Sequence, residues 1–203
     1  MLATFEGRMG QGKTLSATVF SVLDWFEADR RIVANYDISL DNFNYIFDDD
    51  GNIVEYKFRK EVKKGDFIQF DYEYFVDAME KNEVLYNTTV VIDEAYLFAD
   101  ARMTQSGFNK LLSYFVMQTR KRDVDLYLTT QQFENIDVRL RRNTDLRVLC
   151  RFNKGQKVIT CRLVDLRSGL RRRMKIYAPE YWNLYNTCEI PTLRPGHIRA
   201  VNL

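Results

Sequence analysis

The sequence is poor in histidine, cysteine and proline, and each shortage excludes a class of site. Its one histidine, His197, cannot build a histidine-based metal site or a Ser-His-Asp triad, so hydrolysis through a nucleophilic side chain is not expected. Its three cysteines (Cys150, Cys161 and Cys188) have neither the paired spacing of a zinc site nor the even count of a closed disulfide framework, and we expect reduced thiols in the core. The three prolines mark no linker, so one domain over residues 1–203 is expected.

Long apolar runs are also missing. No window approaches the roughly 18 consecutive apolar residues that a membrane-spanning helix needs. The N-terminus lacks a basic segment followed by an apolar one, so a secretory signal peptide is not expected. Hydrophobic residues make up 46% of the chain and charged residues 29%, and these proportions predict a globular, intracellular protein rather than a disordered one.

Positive charge is concentrated in one segment, although the net charge of the chain is only +2. Residues 139–175 contain 13 Lys and Arg against two Asp, so this segment carries +11 and the remainder carries −9. A one-sided basic segment is typical of a surface that binds a polyanion, and we expect it to contact nucleic acid. The alternative interpretation is a solvated basic sheet edge.

Strand and helix patterns alternate along the first 130 residues, which predicts an α/β fold with an open, mainly parallel sheet flanked by helices. Antiparallel strands are expected at the C-terminal side, in the basic segment 146–177. We expect a hairpin insertion at 37–65, with a turn at 48–52, and an irregular tail at 178–203. Strands are predicted at 2–6, 31–36, 67–70, 88–92, 125–130, 146–152, 158–165 and 171–177, and helices at 14–28, 72–81 and 108–120.

A phosphate-binding motif follows the first predicted strand and opens the first predicted helix. It satisfies the Walker A pattern G-x-x-x-x-G-K-[ST] and predicts a P-loop NTPase of RecA-like type that binds ATP with Mg²⁺. Its glycines let backbone N–H groups surround the β-phosphate, Lys13 reaches the β- and γ-phosphates, and Thr14 binds Mg²⁺. The alternative is an ordinary tight turn. The eight residues of the motif are Gly7, Arg8, Met9, Gly10, Gln11, Gly12, Lys13 and Thr14.

Two carboxylates, Asp93 and Glu94, end the apolar run at 88–92. Ligands of open α/β sheets bind at the carboxyl ends of the strands, where a P-loop NTPase needs a second acid for its metal. We expect Asp93 to hold Mg²⁺ through its water shell and Glu94 to polarise the attacking water. The alternative is a solvated strand end.

A glutamine follows the strand predicted at 125–130. There Gln131 can sense the γ-phosphate or orient water, with Gln132 as the competing candidate and a structural hydrogen bond as the alternative.

Cations close the helix predicted between the two site strands. We expect Arg120 or Arg122 to be an arginine finger inserted into the site of a neighbouring subunit. A helix C-terminus also favours cations through its dipole, which is the structural alternative. Three further arginines are rival candidates, namely Arg139, Arg141 and Arg142.

The order of these motifs resembles the HerA/FtsK superfamily of motor ATPases, especially the small genome-packaging ATPases of membrane-containing icosahedral viruses. The resemblance covers about residues 1–152, and it rests on the N-terminal loop, Asn35 after the first helix, the D-E strand, the T-R-K-R helix end and the T-T-Q-Q strand end. It implies that Lys13, Thr14, Asp93 and Glu94 bind and hydrolyse ATP, with Gln131 as sensor and Arg120 or Arg122 as finger.

The same resemblance implies a partner and a place of action. It implies a pentameric or hexameric ring that pumps double-stranded DNA into a preformed capsid, in the host cytoplasm or attached to the virion, in contact with capsid or membrane vertex proteins. A nucleotide-dependent structural subunit with little turnover is a further alternative.

A second resemblance competes with the first. The zonula occludens toxin-like and gene I assembly proteins of filamentous phages share G-x-G-K-T, an Asn after the first helix, D-E-A and a strand that ends in T-Q. Such a relative implies an ATPase that acts on a protein partner at a membrane. Those proteins continue into a membrane span, which this sequence lacks, so we expect packaging to be the function.

Overall fold

The structure is a computed structural model that describes residues 1–47, 53–56, 60–81, 85–97, 99 and 107–186. The turn predicted at 48–52 lies outside the described residues, as do Cys188 and His197. The strands are β1 (Leu2–Glu6), β2 (Arg31–Ala34), β3 (Tyr45–Phe47), β4 (Ile53–Tyr56), β5 (Phe67–Gln69), β6 (Thr88–Ile92), β7 (Val124–Thr130), β8 (Leu146–Asn153), β9 (Val158–Asp165) and β10 (Arg171–Tyr177). The helices are α1 (Lys13–Ala28), α2 (Asp41–Asn44), α3 (Tyr72–Glu80), α4 (Gly107–Arg122) and α5 (Val138–Asn143), with 3₁₀ helices at Ala95–Leu97, Phe133–Asn135 and Ala178–Leu184.

Eight strands form one sheet in the order β10-β9-β8-β1-β7-β6-β2-β5. Every pairing from β8 to β5 is parallel, whereas β9 pairs antiparallel with β8, and β10 pairs antiparallel with β9. The predicted fold class is therefore confirmed, including the antiparallel finish. β3 and β4 pair separately as a two-stranded antiparallel sheet within the segment 37–65.

Helices cover both faces of the sheet. Successive side chains of a strand point to opposite faces, so Tyr127 of β7 joins the core beneath α1 while its neighbours Leu126 and Leu128 join the core beneath α4. Because β1, β6 and β7 are covered on both faces, they are buried along nearly their whole length. Among the described residues, no helix combines the length and the apolar character that a bilayer-spanning helix requires.

Several short helices were not predicted, and two of them bear on the site or on the candidate arginines. The helix α5 was not predicted, since its sequence VRLRRN has no apolar period and only Leu140 is buried. The 3₁₀ helix Ala178–Leu184 lies in the expected irregular tail, and it buries Ala178 and Leu184 in the core on the α1 side. This second element closes one side of the site described next.

Candidate nucleotide-binding site

The loop between β1 and α1 depends on glycine at a close contact. Gly12 has φ +80°, in the left-handed region where residues with a Cβ are strained. A Cβ added there would lie 2.4 Å from Cδ1 of Ile159 on β9, so the loop packs directly on the C-terminal strands. The contact fixes the position of the loop at the point where the helix begins.

Lys13 is the first residue of α1, and its side chain turns back across the loop. Its Nζ donates a hydrogen bond to the carbonyl oxygen of Arg8 at 3.4 Å, and the residue is only 6% exposed. The loop is also bonded to β8, because Gln11 Oε1 accepts a hydrogen bond from the backbone N–H of Phe152 at 3.1 Å. A lysine amine above a helix N-terminus forms a site for an anion.

Two threonine hydroxyls connect the loop and the two acids. The Thr14 hydroxyl donates to Asp93 Oδ1 at 2.8 Å, and the Thr129 hydroxyl donates to the same oxygen at 2.6 Å. Thr129 also accepts a hydrogen bond from the backbone N–H of Glu94 at 2.9 Å. The hydroxyl of Thr129 on β7 therefore couples the two acids at the end of β6, a role that the sequence did not reveal.

The acids lie in an environment that disfavours their charge. Burial raises the pKa of Asp93 above its ordinary value, although hydrogen bonds from Thr129 and Thr14 and the charge of Lys13 oppose this. Burial and then the Asp93 charge raise the pKa of Glu94, whereas the charge of Lys13 and a hydrogen bond with the Tyr96 hydroxyl oppose this increase. Glu94 has φ +51°, and its Oε2 is buried without a hydrogen-bond partner among the described residues. A buried carboxylate oxygen of this kind can accept a proton from a water molecule.

Gln131 follows the last residue of β7, which lies between the loop strand β1 and the acid strand β6. Its side chain is half-buried, while that of Gln132 is exposed. The preceding hydroxyl of Thr130 donates to the carbonyl oxygen of Gln132 at 2.9 Å and fixes the backbone there. Gln131 thus lies at the carboxyl edge of the sheet, and its sensor role stays a prediction.

The arginines at the end of α4 lie at the other edge of the sheet, because α4 ends where β7 begins. Arg122 is 3% exposed, donates to Gln118 Oε1 at 2.7 Å and lies over the Phe115 ring. Arg120 is exposed and lines a surface cavity beside Met1 at the start of β1. Neither arginine approaches the loop of its own chain, so a finger role would require a neighbouring subunit.

The rival arginines lie on α5, on the same face of the sheet as α4. Arg139 pairs with the buried carboxylate of Asp137 at 3.0 Å, which occupies its guanidinium. Arg141 is half-buried, whereas Arg142 is exposed. Of the five finger candidates, Arg120 and Arg142 are therefore the two with exposed side chains.

A cavity of about 400 Å³ adjoins the loop and the acids. Besides residues already described, it is lined by a group that the sequence did not single out, namely Tyr36, Phe152, Ile159, Ala178, Trp182 and Tyr185. Burial, followed by the Asp93 charge, raises the pKa of Tyr185 to about 12. The aromatic residues of the C-terminal 3₁₀ helix could have been noticed from composition, but nothing in their spacing places them beside a loop at residue 7.

The basic segment forms one face of the sheet at β8, β9 and β10. Strand register aligns Leu149 of β8 with Arg162 of β9, and Arg162 with Arg173 of β10. Because side chains alternate between the two faces of a strand, every second residue from these positions lies on the same face. Five cations on this face are exposed, namely Arg151, Arg162, Arg171, Arg173 and Lys175. A sixth, Arg147, is neutralised by the carboxylate of Glu6 at 2.6 Å. We call these six cations the basic face.

The family model of zonular occludens toxin (Zot) matches residues 1–165 of the chain. A comparison with curated protein sequences gives no significant match. Among solved structures, the N-terminal domain of zonular occludens toxin from Neisseria meningitidis is similar, with 19% identity, a TM-score of 0.57, and 91% of this chain and 98% of that chain covered.

Two further solved structures share the fold. One is the genome-packaging NTPase B204 from Sulfolobus turreted icosahedral virus 2 in complex with ATP-gammaS, at 12% identity and a TM-score of 0.56, with 85% of this chain and 95% of that chain covered. The other is a KaiC-like protein from Pyrococcus horikoshii OT3, at 14% identity and a TM-score of 0.52, with 86% and 82% covered. The fold of the chain is therefore that of P-loop ATPases, as the loop motif predicted.

Proposed function

The chain belongs to the zonular occludens toxin (Zot) family, and from this premise we propose that it binds ATP at Gly7–Thr14 and hydrolyses it to ADP and phosphate. The observation that carries the proposal is the hydrogen-bonded set that joins Thr14, Asp93 and Glu94 through Thr129. This set brings a phosphate loop and a candidate water-activating acid to one edge of the sheet. Lys13 binds the β- and γ-phosphates, and Glu94 polarises the attacking water.

The residues present suit a magnesium ion. Mg²⁺ prefers oxygen ligands and retains several waters, and the Thr14 hydroxyl and the Asp93 carboxylate lie 2.8 Å apart at the loop. Thr14 and Asp93 would hold the ion, which supplies charge neutralisation on the β- and γ-phosphate oxygens when bound. Gln131, at the end of the strand between loop and acids, is the proposed sensor of the γ-phosphate.

The cargo that we propose is double-stranded DNA, moved by a ring of subunits during assembly of a virus or phage. The basic face supports this proposal, because it places five exposed cations on one side of three neighbouring strands, where they can neutralise phosphates of a DNA backbone. The genome-packaging NTPase that shares the fold supports the same class of cargo. A ring would also place an arginine of one subunit at the site of the next.

ATP turnover with and without duplex DNA tests the proposal. We expect duplex DNA to raise turnover and to bind more weakly as salt rises, since phosphate contacts release counterions. Replacing Arg162 and Arg173 together by Gln should abolish the stimulation, while the matched control, with Gln at the exposed Lys63 and Lys64, should retain it. Glu94→Gln should retain ATP binding and lose hydrolysis, and unchanged turnover would remove Glu94 from the mechanism. Wild-type protein that binds ATP with little turnover would favour a nucleotide-dependent structural subunit.

The family match favours a second candidate, an assembly ATPase that acts on a protein partner at a membrane. It shares the ATP chemistry and differs in cargo. For this candidate, DNA would neither bind to the basic face nor stimulate turnover. ATPase activity that is insensitive to DNA at low salt would therefore exclude DNA as the cargo and favour the protein partner.

A further inference from the structure

The cavity beside the phosphate loop is lined by two chemically different groups of residues. One group is polar and comes from the loop and the acids, with Lys13, Thr14 and Asp93 among its members. The other group is apolar and aromatic, with Ile159 and Trp182 among its members. A cavity of about 400 Å³ lies within the range of roughly 300–1,000 Å³ that small-molecule sites occupy, so a whole nucleotide is a suitable occupant.

We propose that Trp182 is the stacking surface for the base of the nucleotide whose phosphates bind the loop. The proposal rests on the ATP site proposed above and adds the part of the site that recognises the nucleoside. Trp182 is 45% exposed although it lines the cavity, so a large aromatic surface is available there. The Nζ of Lys157 lies 5.8 Å from the centroid of the same ring, and Lys157 does not line the cavity.

The segment that carries Trp182 is anchored at both ends. The backbone N–H of Ala178 donates to the carbonyl oxygen of Lys157 at 2.9 Å, and the carbonyl oxygen of Leu184 accepts from the backbone N–H of Ser39 at 2.8 Å. Ala178 and Leu184 are each 1% exposed. A ring held on such a fixed backbone is a pre-organised surface, which lowers the entropic cost of binding a flat ligand.

Base stacking on an aromatic ring tolerates different bases, because every base has a π-face. The loop therefore recognises the triphosphate and Trp182 recognises the presence of a base. A ligand with phosphates but no base separates these two contributions. We use the non-hydrolysable nucleotide AMPPCP and inorganic tripolyphosphate as the two probes.

Calorimetric titration of the full chain with both probes tests the proposal. Trp182→Ala should weaken AMPPCP binding about tenfold and leave tripolyphosphate binding unchanged. Trp182→Phe should retain most of the AMPPCP affinity. The matched control is Tyr114→Ala, which removes an aromatic ring that is 62% exposed on α4 and does not line the cavity, and should change neither affinity.

Fluorescence supplies an independent readout, since the chain has two tryptophans. Trp25 is 1% exposed and donates to Asp66, so AMPPCP should quench Trp182 alone, and Trp182→Phe should remove the response. Equal weakening of both probes by Trp182→Ala, or no weakening of AMPPCP, overturns the base-stacking role and leaves the ATP site standing. Wild-type protein that binds no AMPPCP overturns both.

Discussion

The side-chain amide of Asn35 forms hydrogen bonds with both the backbone N–H and the backbone carbonyl oxygen of Asp93. Its Nδ2 donates to the carbonyl oxygen of Asp93 at 3.1 Å, and its Oδ1 accepts from the backbone N–H of Asp93 at 2.8 Å. Asn35 follows β2, the neighbour of β6, so one side-chain amide extends the pairing of the two strands by one residue. This pairing fixes the direction in which the Asp93 carboxylate leaves the strand, toward Thr14.

We predict that Asn35→Ala lowers the free energy of unfolding by about 1–3 kcal/mol, because it leaves a buried donor and acceptor unsatisfied. ATP hydrolysis should fall more than ATP binding, since the loop itself is untouched. Denaturant unfolding and turnover measurements check the two effects. Asn143→Ala is the control, because Asn143 makes its side-chain hydrogen bond to Arg139 in an exposed position, and it should cost less than about 0.5 kcal/mol. Full turnover in Asn35→Ala would contradict the positioning role.

Substitutions of two loop glycines distinguish the effect of backbone strain from that of a steric contact. Gly10 has φ +70° with no atom within 4 Å of an added Cβ, whereas Gly12 has φ +80° and an added Cβ 2.4 Å from Ile159. Gly10→Ala should cost about 1–2 kcal/mol for the left-handed backbone alone. Gly12→Ala should cost more and abolish ATP binding, because the loop must move away from β9.

Removal of the contacting atom tests this explanation. Ile159→Val deletes Cδ1, the nearest atom that the new methyl group would meet, and keeps Cγ1, which an added Cβ would meet at 2.8 Å. In the Gly12→Ala background, Ile159→Val should recover part of the lost unfolding free energy, although by itself it costs about 0.5–1.5 kcal/mol. Additive losses in the double variant would show that the contact with Cδ1 does not limit the loop.

Elements with a clear apolar pattern or a known motif could be predicted from the sequence. The run Thr88–Ile92 is apolar and β-branched, and the observed strand has the predicted bounds. The contact between Gly12 and Ile159 could not be predicted, because 147 positions separate these residues and only the addition of β8 to β1 brings β9 over the loop. Trp182 was missed for a related reason, since a 3₁₀ helix gives no apolar period to identify.

The orientation of the two finger candidates, Arg120 and Arg122, could not be predicted from the sequence either. Residues two positions apart on a helix point in directions about 200° apart, so Arg120 and Arg122 must lie on different faces. The sequence does not say which face packs against the sheet. In the structure, Arg122 points inward to Phe115 and Arg120 points outward.

Asp24 gives the stability of the protein a dependence on pH. Its carboxylate accepts hydrogen bonds from Tyr127 at 2.7 Å and from Thr89 at 3.0 Å, yet burial raises its pKa above the ordinary value of 3.8. The folded state therefore holds this proton more tightly than the unfolded state does. The unfolding free energy falls as pH rises from 3.8 through the raised pKa, and the loss is complete above it.

We predict that Asp24→Asn is more stable than the wild type at neutral pH and that the difference vanishes as pH falls to 3.8. Denaturant unfolding at several pH values checks this. Asp165→Asn is a control of opposite sign, because backbone hydrogen bonds from Ser168 and Arg167 lower the pKa of Asp165. That variant should be less stable at neutral pH, with a difference that also vanishes at low pH. A pH-independent effect of Asp24→Asn would contradict the titration.

The burial of Arg122 and the exposure of Arg120 give these neighbours different predicted phenotypes. Arg122→Ala should lower the unfolding free energy by about 1–3 kcal/mol, because it removes the contact with Phe115 and the hydrogen bond to Gln118. Arg120→Ala should leave stability unchanged and reduce turnover by orders of magnitude, if Arg120 enters the site of a neighbouring subunit. Unfolding and ATPase measurements on the two variants separate the roles.

A mixing experiment tests action between subunits. Lys13→Ala removes the phosphate ligand of a subunit and keeps its arginine, whereas Arg120→Ala keeps the loop and removes the arginine. If the arginine acts on the next subunit, a mixture of the two inactive proteins contains junctions with an intact loop and an intact arginine, so part of the activity should return. Recovery in this mixture, together with full turnover of Arg142→Ala alone, identifies Arg120. A mixture that stays inactive would mean that Arg120 does not act on a neighbouring subunit, and a monomer with full turnover would mean that hydrolysis needs no arginine from a neighbour.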